Sequence, residues 1–373
     1  MTDSQAYVAF NLTERVGAAT VSELVAKTGS VAAAWETYPK KISRMGGEVD
    51  WEGEFRRAEK FGVQIVTPAD DAYPKILKEA PGAPLSLYVK GDVAALSKPM
   101  VALVGTRRAT SYGRDLAQHL AYDLCRAGWG VVSGLALGID AAAHRGALDA
   151  GGVTVGVIGS GLDRFYPMEN RDLAREMARK GGAVVSEFPF GRPPDQETFP
   201  IRNHVVATLG RGVVAVEAPL RSGTLITTSI AADLGRTVMA IPSRVDSRMS
   251  AGCLQLIREG ATLVRNADDI LEALSELFPR SGGHETEDVR REGAASSSVS
   301  RFKSSADPET PPYSVEEALV MTHVDEDAIS LDELVRKTKL PVAKVNALAM
   351  SLRLKGFVRF LPGNRISLLT AHR

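Results

Sequence analysis

The chain has 373 residues, 44% hydrophobic and 24% charged, the balance of an ordinary soluble protein with enough length for two or three domains. Lysine plus arginine and aspartate plus glutamate each number 45, so zero net charge excludes bulk attraction to a polyanion or an anionic membrane surface. There is no run of about 18 apolar residues and no basic region at the start MTDSQAYVAF, so a cytoplasmic protein with no membrane span is expected.

Residues 1–65 read as a small helical module of the SAM or helix-hairpin-helix kind. In NLTERVGAATVSELVAKTGSVAAAW the apolar residues recur at helical spacing and Gly17 and Gly29 break the run. The turn lacks a clear Gly-x-Gly, which favours plain helical packing over a phosphate-holding hairpin. Residues 66–278 alternate short apolar runs with helical text. The runs are MVALVG (100–105), WGVVSG (129–134), VTVGVIG (153–159), AVVSEF (183–188), GVVAVEA (212–218), TVMAIP (237–242) and ATLV (261–264). They are continuous rather than alternating, as strands covered on both faces require. The expected fold is therefore α/β, a doubly wound and mostly parallel sheet. The two cysteines, Cys125 and Cys253, lie in apolar text, fit no metal spacing and read as reduced core thiols.

Residues 279–312 are polar and poor in large apolar side chains, too little to offset their ordering entropy, and read as a flexible linker. Residues 313–373 read helix, helix, helix, hairpin, with Pro341 opening the third helix and Pro362-Gly363-Asn364 turning the hairpin: a winged-helix pattern.

Four strand ends of the middle segment run into glycine and hydroxyl residues: Gly105-Thr106-Arg107-Arg108, Ser133-Gly134, Gly159-Ser160-Gly161 and Arg221-Ser222-Gly223-Thr224. Glycine lets a backbone approach an anion, and each following helix presents free N–H groups and a positive dipole end. One mononucleotide needs one or two such loops, whereas a row of four suits a polymer or a large nucleotide. Of the 20 basic residues in 96–278, 18 are arginine, whose flat fork suits phosphate and base stacking. Residues 188–203 read as a long loop in which Phe188, Phe190 and Phe199 mix with Arg192 and Arg202. Such interleaving suits base stacking beside a phosphate track, with Phe188 as the anchor and Phe199 as the exposed candidate.

Enzymatic constellations are thin. No P-loop motif is present, and Arg164 stands where the third glycine of a dinucleotide fingerprint would fall. Asp140 and His144 could pair as base and orienter. The preferred reading makes Asp140 a helix cap with His144 packed behind it. Glu187 and Glu217 end strands, where a catalytic carboxylate could sit. No cluster has metal-ligand spacing, and no cofactor is expected.

The motifs MVALVGTRRATSYG, VVSGLALGIDAAAHRGAL, GVIGSGLDRFYP, SEFPFG…FPIRNHVVATLGRGVVAVEA, RSGTLITT and GCLQLIREGATLV resemble, in order, those of the DNA-processing protein A (DprA) family over residues 65–278. The resemblance implies a Rossmann-like core. It implies a homodimer without enzymatic activity that binds and protects incoming single-stranded DNA. It also implies loading of the recombinase RecA during natural transformation. Carried onto this chain, it places the DNA groove at Gly105, Arg107, Arg108, Ser133, Gly134, Ser160, Gly161, Phe199, Arg202, Asn203, Arg221, Ser222, Gly223 and Thr224. The dimer and recombinase surfaces fall near Leu254, Ile257, Arg258 and Leu263. Two departures stand out. Met168 follows Tyr-Pro where a basic residue is usual, leaving Arg171 to serve, and Ser243 replaces the glycine of an Ala-x-Pro-Gly turn.

The rival is a nucleotide-cleaving phosphoribohydrolase on a similar fold, whose signature ends in a catalytic glutamate. Thr227 occupies that place and cannot act as a carboxylate. A third class, a repressor reading duplex DNA through the winged helix, meets only Lys344, Arg353 and Lys355 on its third helix, sparse for base readout.

Overall fold

The computed structural model describes residues 1–39, 41–275 and parts of 319–368. The chain divides into two compact units, Met1–His284 and Glu285–Arg373. The segment 279–312, read as a linker, lies outside the described residues. Among those described, no helix is long and apolar enough to cross a membrane.

The first unit opens with four helices, α1 (Asp3–Leu12), α2 (Ala18–Thr28), α3 (Val31–Thr37) and α4 (Trp51–Phe61). Thr2 opens α1 with a reciprocal capping box to Gln5, and Ser30 and Asp50 cap α3 and α4. Ala6, Phe10, Ala34 and Trp35 form their core, with the Phe10 and Trp35 rings edge-on at 5.2 Å. Leu85 joins this core, and Asn11 Nδ2 donates to Glu187 O at 3.2 Å, which ties the module to the sheet behind it.

A nine-stranded sheet follows. Its strands are β1 (Gln64–Val66), β2 (Leu87–Gly91), β3 (Met100–Gly105), β4 (Gly130–Ser133), β5 (Thr154–Val157), β6 (Ala183–Ser186), β7 (Gly210–Glu217), β8 (Thr237–Ala240) and β9 (Thr262–Leu263). The order is β1-β2-β6-β5-β4-β3-β7-β8-β9, parallel from β6 to β9 and antiparallel at β1 and β2. Each of the seven apolar runs is a parallel strand, and the doubly wound reading holds. The boundary drawn after residue 65 falls inside β1, a strand too short to show a period.

The helices between strands are α5 (Lys75–Lys78), α6 (Ser111–Arg126), α7 (Ile139–Asp149), α8 (Arg171–Arg179), α9 (Thr198–Leu209), α10 (Gly223–Asp233), α11 (Ala251–Arg258) and α12 (Ala267–Ser275). Val205, Val206 and Leu209 of α9 and Ala231 of α10 pack on one face of the sheet. Leu120 and Leu124 of α6, Ala143 and Ala147 of α7 and Ile270 of α12 pack on the other. Burial of these side chains on both faces explains the continuous apolar runs. The chain winds from β3 to β6 in one direction, returns beside β3 as β7, and winds on to β9 in the other. The carboxyl ends of β3 and β7 are therefore a topological switch point, where such sheets bind ligands.

The second unit holds a three-stranded antiparallel sheet ordered β10 (Ile329–Ser330), β12 (Arg365–Leu368), β11 (Val358–Leu361), with a helix at Leu331–Thr338. Val320, Leu334, Val345, Leu352 and Ile366 are buried together, the core of a winged helix. The turn at 362–364 and residues Arg353 and Lys355 lie outside the described residues.

Candidate nucleic-acid interface

A groove of about 460 Å³ opens at the switch point. The β3 end supplies Gly105, Arg107 and Arg108, the β7 end supplies Arg221 to Thr224, and the first two turns of α9 supply Phe199, Arg202 and Asn203. Four arginines line it against one carboxylate, Asp140, which is buried. A concave surface of that charge attracts an anion from every side.

Local structure explains the shape. Helices α7, α9 and α10 start among the residues that line the groove, so three positive dipole ends converge there. Thr110 caps α6 by accepting from Gly113 N at 3.0 Å. Its own N–H and hydroxyl donate to the two Glu217 oxygens, both at 2.8 Å, so Glu217 braces a loop instead of meeting a substrate. Ser222 caps α10 by accepting from Thr224 N at 3.2 Å. Gly138 begins α7 at a φ of 81°, and a Cβ there would fall 2.3 Å from Thr106 O, so only glycine lets the two loops close up. Leu135, buried beyond β4, also takes a left-handed φ of 54°. Asn170 Nδ2 holds this turn by donating to Leu135 O and Ala136 O at 2.9 and 3.0 Å.

The arginines divide by environment. Arg107 and Arg108 are exposed, and the Arg107 guanidinium lies 4.7 Å from the centroid of the half-buried Phe199 ring. Arg221 is exposed at the mouth. Arg202 is buried: its Nη1 donates to Gly134 O and, at 2.8 Å, to Val157 O, sealing the ends of β4 and β5. Burial lowers its pKa to about 10, the neighbouring Asp140 opposes that, and Arg107 adds to it, so Arg202 stays charged at neutral pH. A Cβ on Gly134 would strike this guanidinium. Burial raises the Asp140 pKa, partly offset by Arg202.

Several expected placements change. The loop read to residue 203 ends at Glu197, because Thr198 begins α9. Pro200 is tolerated in that first turn, whose N–H groups lack helical partners anyway. Asp140 does not cap α7: Gly138 is the cap residue, and an Asp140 oxygen accepts from Ala136 N at 3.2 Å. His144 is buried, its Nδ1 2.7 Å from Thr154 Oγ1, and burial lowers its pKa to about 3, so the ring is neutral. Ser133 is buried inside the sheet, donating to Leu103 O at 2.6 Å. Ser160 is buried too, and Gly161 N donates to Arg192 O at 2.8 Å, which turns this loop toward residues 189–192 and away from the groove. Arg171 stands on α8, outside the strand-end groove. Phe188 and Phe190 are both buried; the first was expected, the second stacks on Phe61 at 5.4 Å.

Tyr166 was missed. It is exposed, 6.3 Å from Phe199, and lines a small cleft with Arg107 and Gly134. Its signal was only a tyrosine before a proline. Burial raises the Cys125 and Cys253 thiols to about 12, which keeps them protonated. Among the described residues no three His, Cys, Asp or Glu side chains cluster as metal ligands. Leu263 is exposed on the two-residue edge strand β9, with Leu254 and Ile257 of α11 half-buried and Arg258 exposed nearby.

Fold and groove define a doubly wound α/β protein with an arginine-lined switch-point site and a winged-helix unit. Residues 64–275 match the family model of DNA recombination-mediator protein A, and residues 304–364 match that of the DprA winged helix domain. The chain belongs to the DNA recombination-mediator protein A family. It is 32% identical to Protein Smf of Synechocystis over 390 residues, covering 97% of this chain and 98% of that one. The X-ray structure of DNA processing protein A from Streptococcus pneumoniae is 33% identical with a TM-score of 0.61, covering 73% of this chain and 98% of that one. A DNA processing protein A from Helicobacter pylori, whose structure concerns its single-stranded DNA binding mode, is 29% identical with a TM-score of 0.52, covering 58% and 97%.

Proposed function

We propose that this chain is a non-catalytic, cytoplasmic binder of single-stranded DNA, and that the switch-point groove holds the strand. The observation that carries the reading is three exposed arginines, Arg107, Arg108 and Arg221, around a groove whose one carboxylate is buried beside Arg202, with Phe199 set beneath Arg107 as a stacking ring. The named binding mode of the Helicobacter pylori relative supports it. Among the described residues the one carboxylate lining the groove, Asp140, is buried in the field of Arg202 and accepts from Ala136 N. Thr227, standing where a phosphoribohydrolase has its glutamate, is buried and donates to Gly223 O at 3.3 Å. Both argue against base release. Family membership supports protection of incoming DNA during transformation, loading of RecA onto it, and pairing of two copies through Leu254, Ile257, Arg258 and Leu263.

The test is equilibrium binding of single strands and blunt duplex across a salt series, with nucleotide monophosphates assayed for base release. Single strands should bind far better, with a log–log salt slope of roughly −0.7 per phosphate neutralised. Equal duplex binding, or release of free base, sinks the reading.

A further inference from the structure

A second groove, of about 1380 Å³, runs between α8 and the end of α4. Arg171, Arg175 and Arg179 follow one another at helical i, i+4 spacing, so they share a face of α8, and all three are exposed and line this groove. With Lys90 and Arg164 they set five cations against three carboxylates. Arg175 meets Asp172 at 3.0 Å in an exposed pair of small worth, and exposed Arg164 meets the half-buried Asp163 at a long 3.9 Å. Arg171 and Arg179 have no ion-pair partner among the described residues.

Two exposed rings enter the same groove. Phe61, the last residue of α4, packs one face on the buried Phe190, the planes 20° apart. Tyr166 lines this groove and also the cleft it shares with Arg107 and Phe199, so the second groove adjoins the switch point at its ring. A merely solvated helix face has no use for exposed aromatic rings among arginines; a strand of bases and phosphates uses both.

We propose that a single strand held at the switch point continues past Tyr166 into this groove. Its bases stack on Tyr166 and Phe61, and its phosphates run along Arg171, Arg175 and Arg179. The helical module thereby becomes part of the DNA surface through Phe61. This inference rests on the switch-point groove binding single strands.

The test is fluorescence anisotropy of the full chain with oligothymidylates of about 5 and about 16 nucleotides, lengths bracketing common single-strand site sizes. Phe61→Ala, Arg179→Ala and Arg179→Glu should keep the affinity for the short strand and lose much of the gain from lengthening. The expected loss is about tenfold for Phe61→Ala, and Arg179→Ala should reduce the salt slope on the long strand by about 0.7. Unchanged thermal midpoints establish that the variants fold. Arg107→Ala, in parallel, should weaken both lengths. If it does while the groove variants keep the full length gain, the groove proposal alone is overturned. If Arg107→Ala changes neither length, the switch-point reading itself fails. Saturable binding of an acidic oligopeptide that Arg179→Glu abolishes, with the length gain intact, assigns the groove to a protein partner and also overturns the proposal.

Discussion

Arg107 is exposed against a ring, while Arg202, one turn beyond that ring on α9, is sealed against two strand ends. The same residue type therefore predicts opposite phenotypes. Arg107→Ala removes no buried contact and should shift stability by only about 0.5 kcal/mol. It should weaken single-strand binding by about 1–3 kcal/mol if the fork holds a phosphate, and lysine should restore only part. Arg202→Ala leaves Asp140 buried without its cation and should cost about 3–5 kcal/mol in chemical denaturation. Loss of binding by Arg202→Ala at full stability would show that Arg202 touches DNA directly. His144 makes a separate prediction. Its folded pKa of about 3 lies below the ordinary value of about 6.5. Below that ordinary value the unfolded chain takes up a proton that the folded chain refuses, so stability present at neutral pH is lost as pH falls. Between pH 7 and 5 the loss from this group should be about 2 kcal/mol. His144→Leu should flatten that limb in urea titrations at several pH values; an unchanged limb assigns the acid sensitivity to other groups.

Legibility in the sequence followed burial. The parallel strands were readable because helices cover both their faces, so β3 to β9 stand out as unbroken apolar text. The pair β1 and β2 escaped because Gln64–Val66 has three residues and grades from exposed to buried. The start of α9 escaped because Phe-Pro text reads as loop, although proline fits a first helical turn. Three of the four glycine and hydroxyl strand ends fall at the groove of the switch point. These residue types could not tell Gly134, which borders the groove, from Ser160, which turns under residues 189–192. Nor could they foresee that Arg202 faces inward, because the carbonyls that take its protons belong to Gly134 and Val157, distant in sequence. At the other end of the sheet, β9 is a two-residue edge beside α11. Ile257→Glu would place a charge at the proposed contact between copies, and sedimentation should then show a monomer that still binds single strands. A variant that remains dimeric would move the contact elsewhere.

At the scale of the molecule, every residue of both grooves lies within the first compact unit. A chain ending at residue 278 should therefore fold and keep its single-strand affinity, as read by anisotropy beside the full chain. Loss of binding by that folded fragment would move the main site to the winged helix.

The balance of 45 cations and 45 carboxylates around an arginine-lined groove also bears on kinetics. Charges farther apart than about 8 Å are screened at physiological ionic strength, and a molecule without net charge offers no far field to guide a polyanion. A passing strand feels the groove only once it is nearly seated. Encounter should therefore be slow and nearly indifferent to salt, while the lifetime of the bound strand should carry almost all the salt dependence. Stopped-flow association and chase measurements separate the two rates. On the proposed function, such kinetics would suit a protein that takes up DNA brought to it and then holds it, leaving duplex largely unsampled.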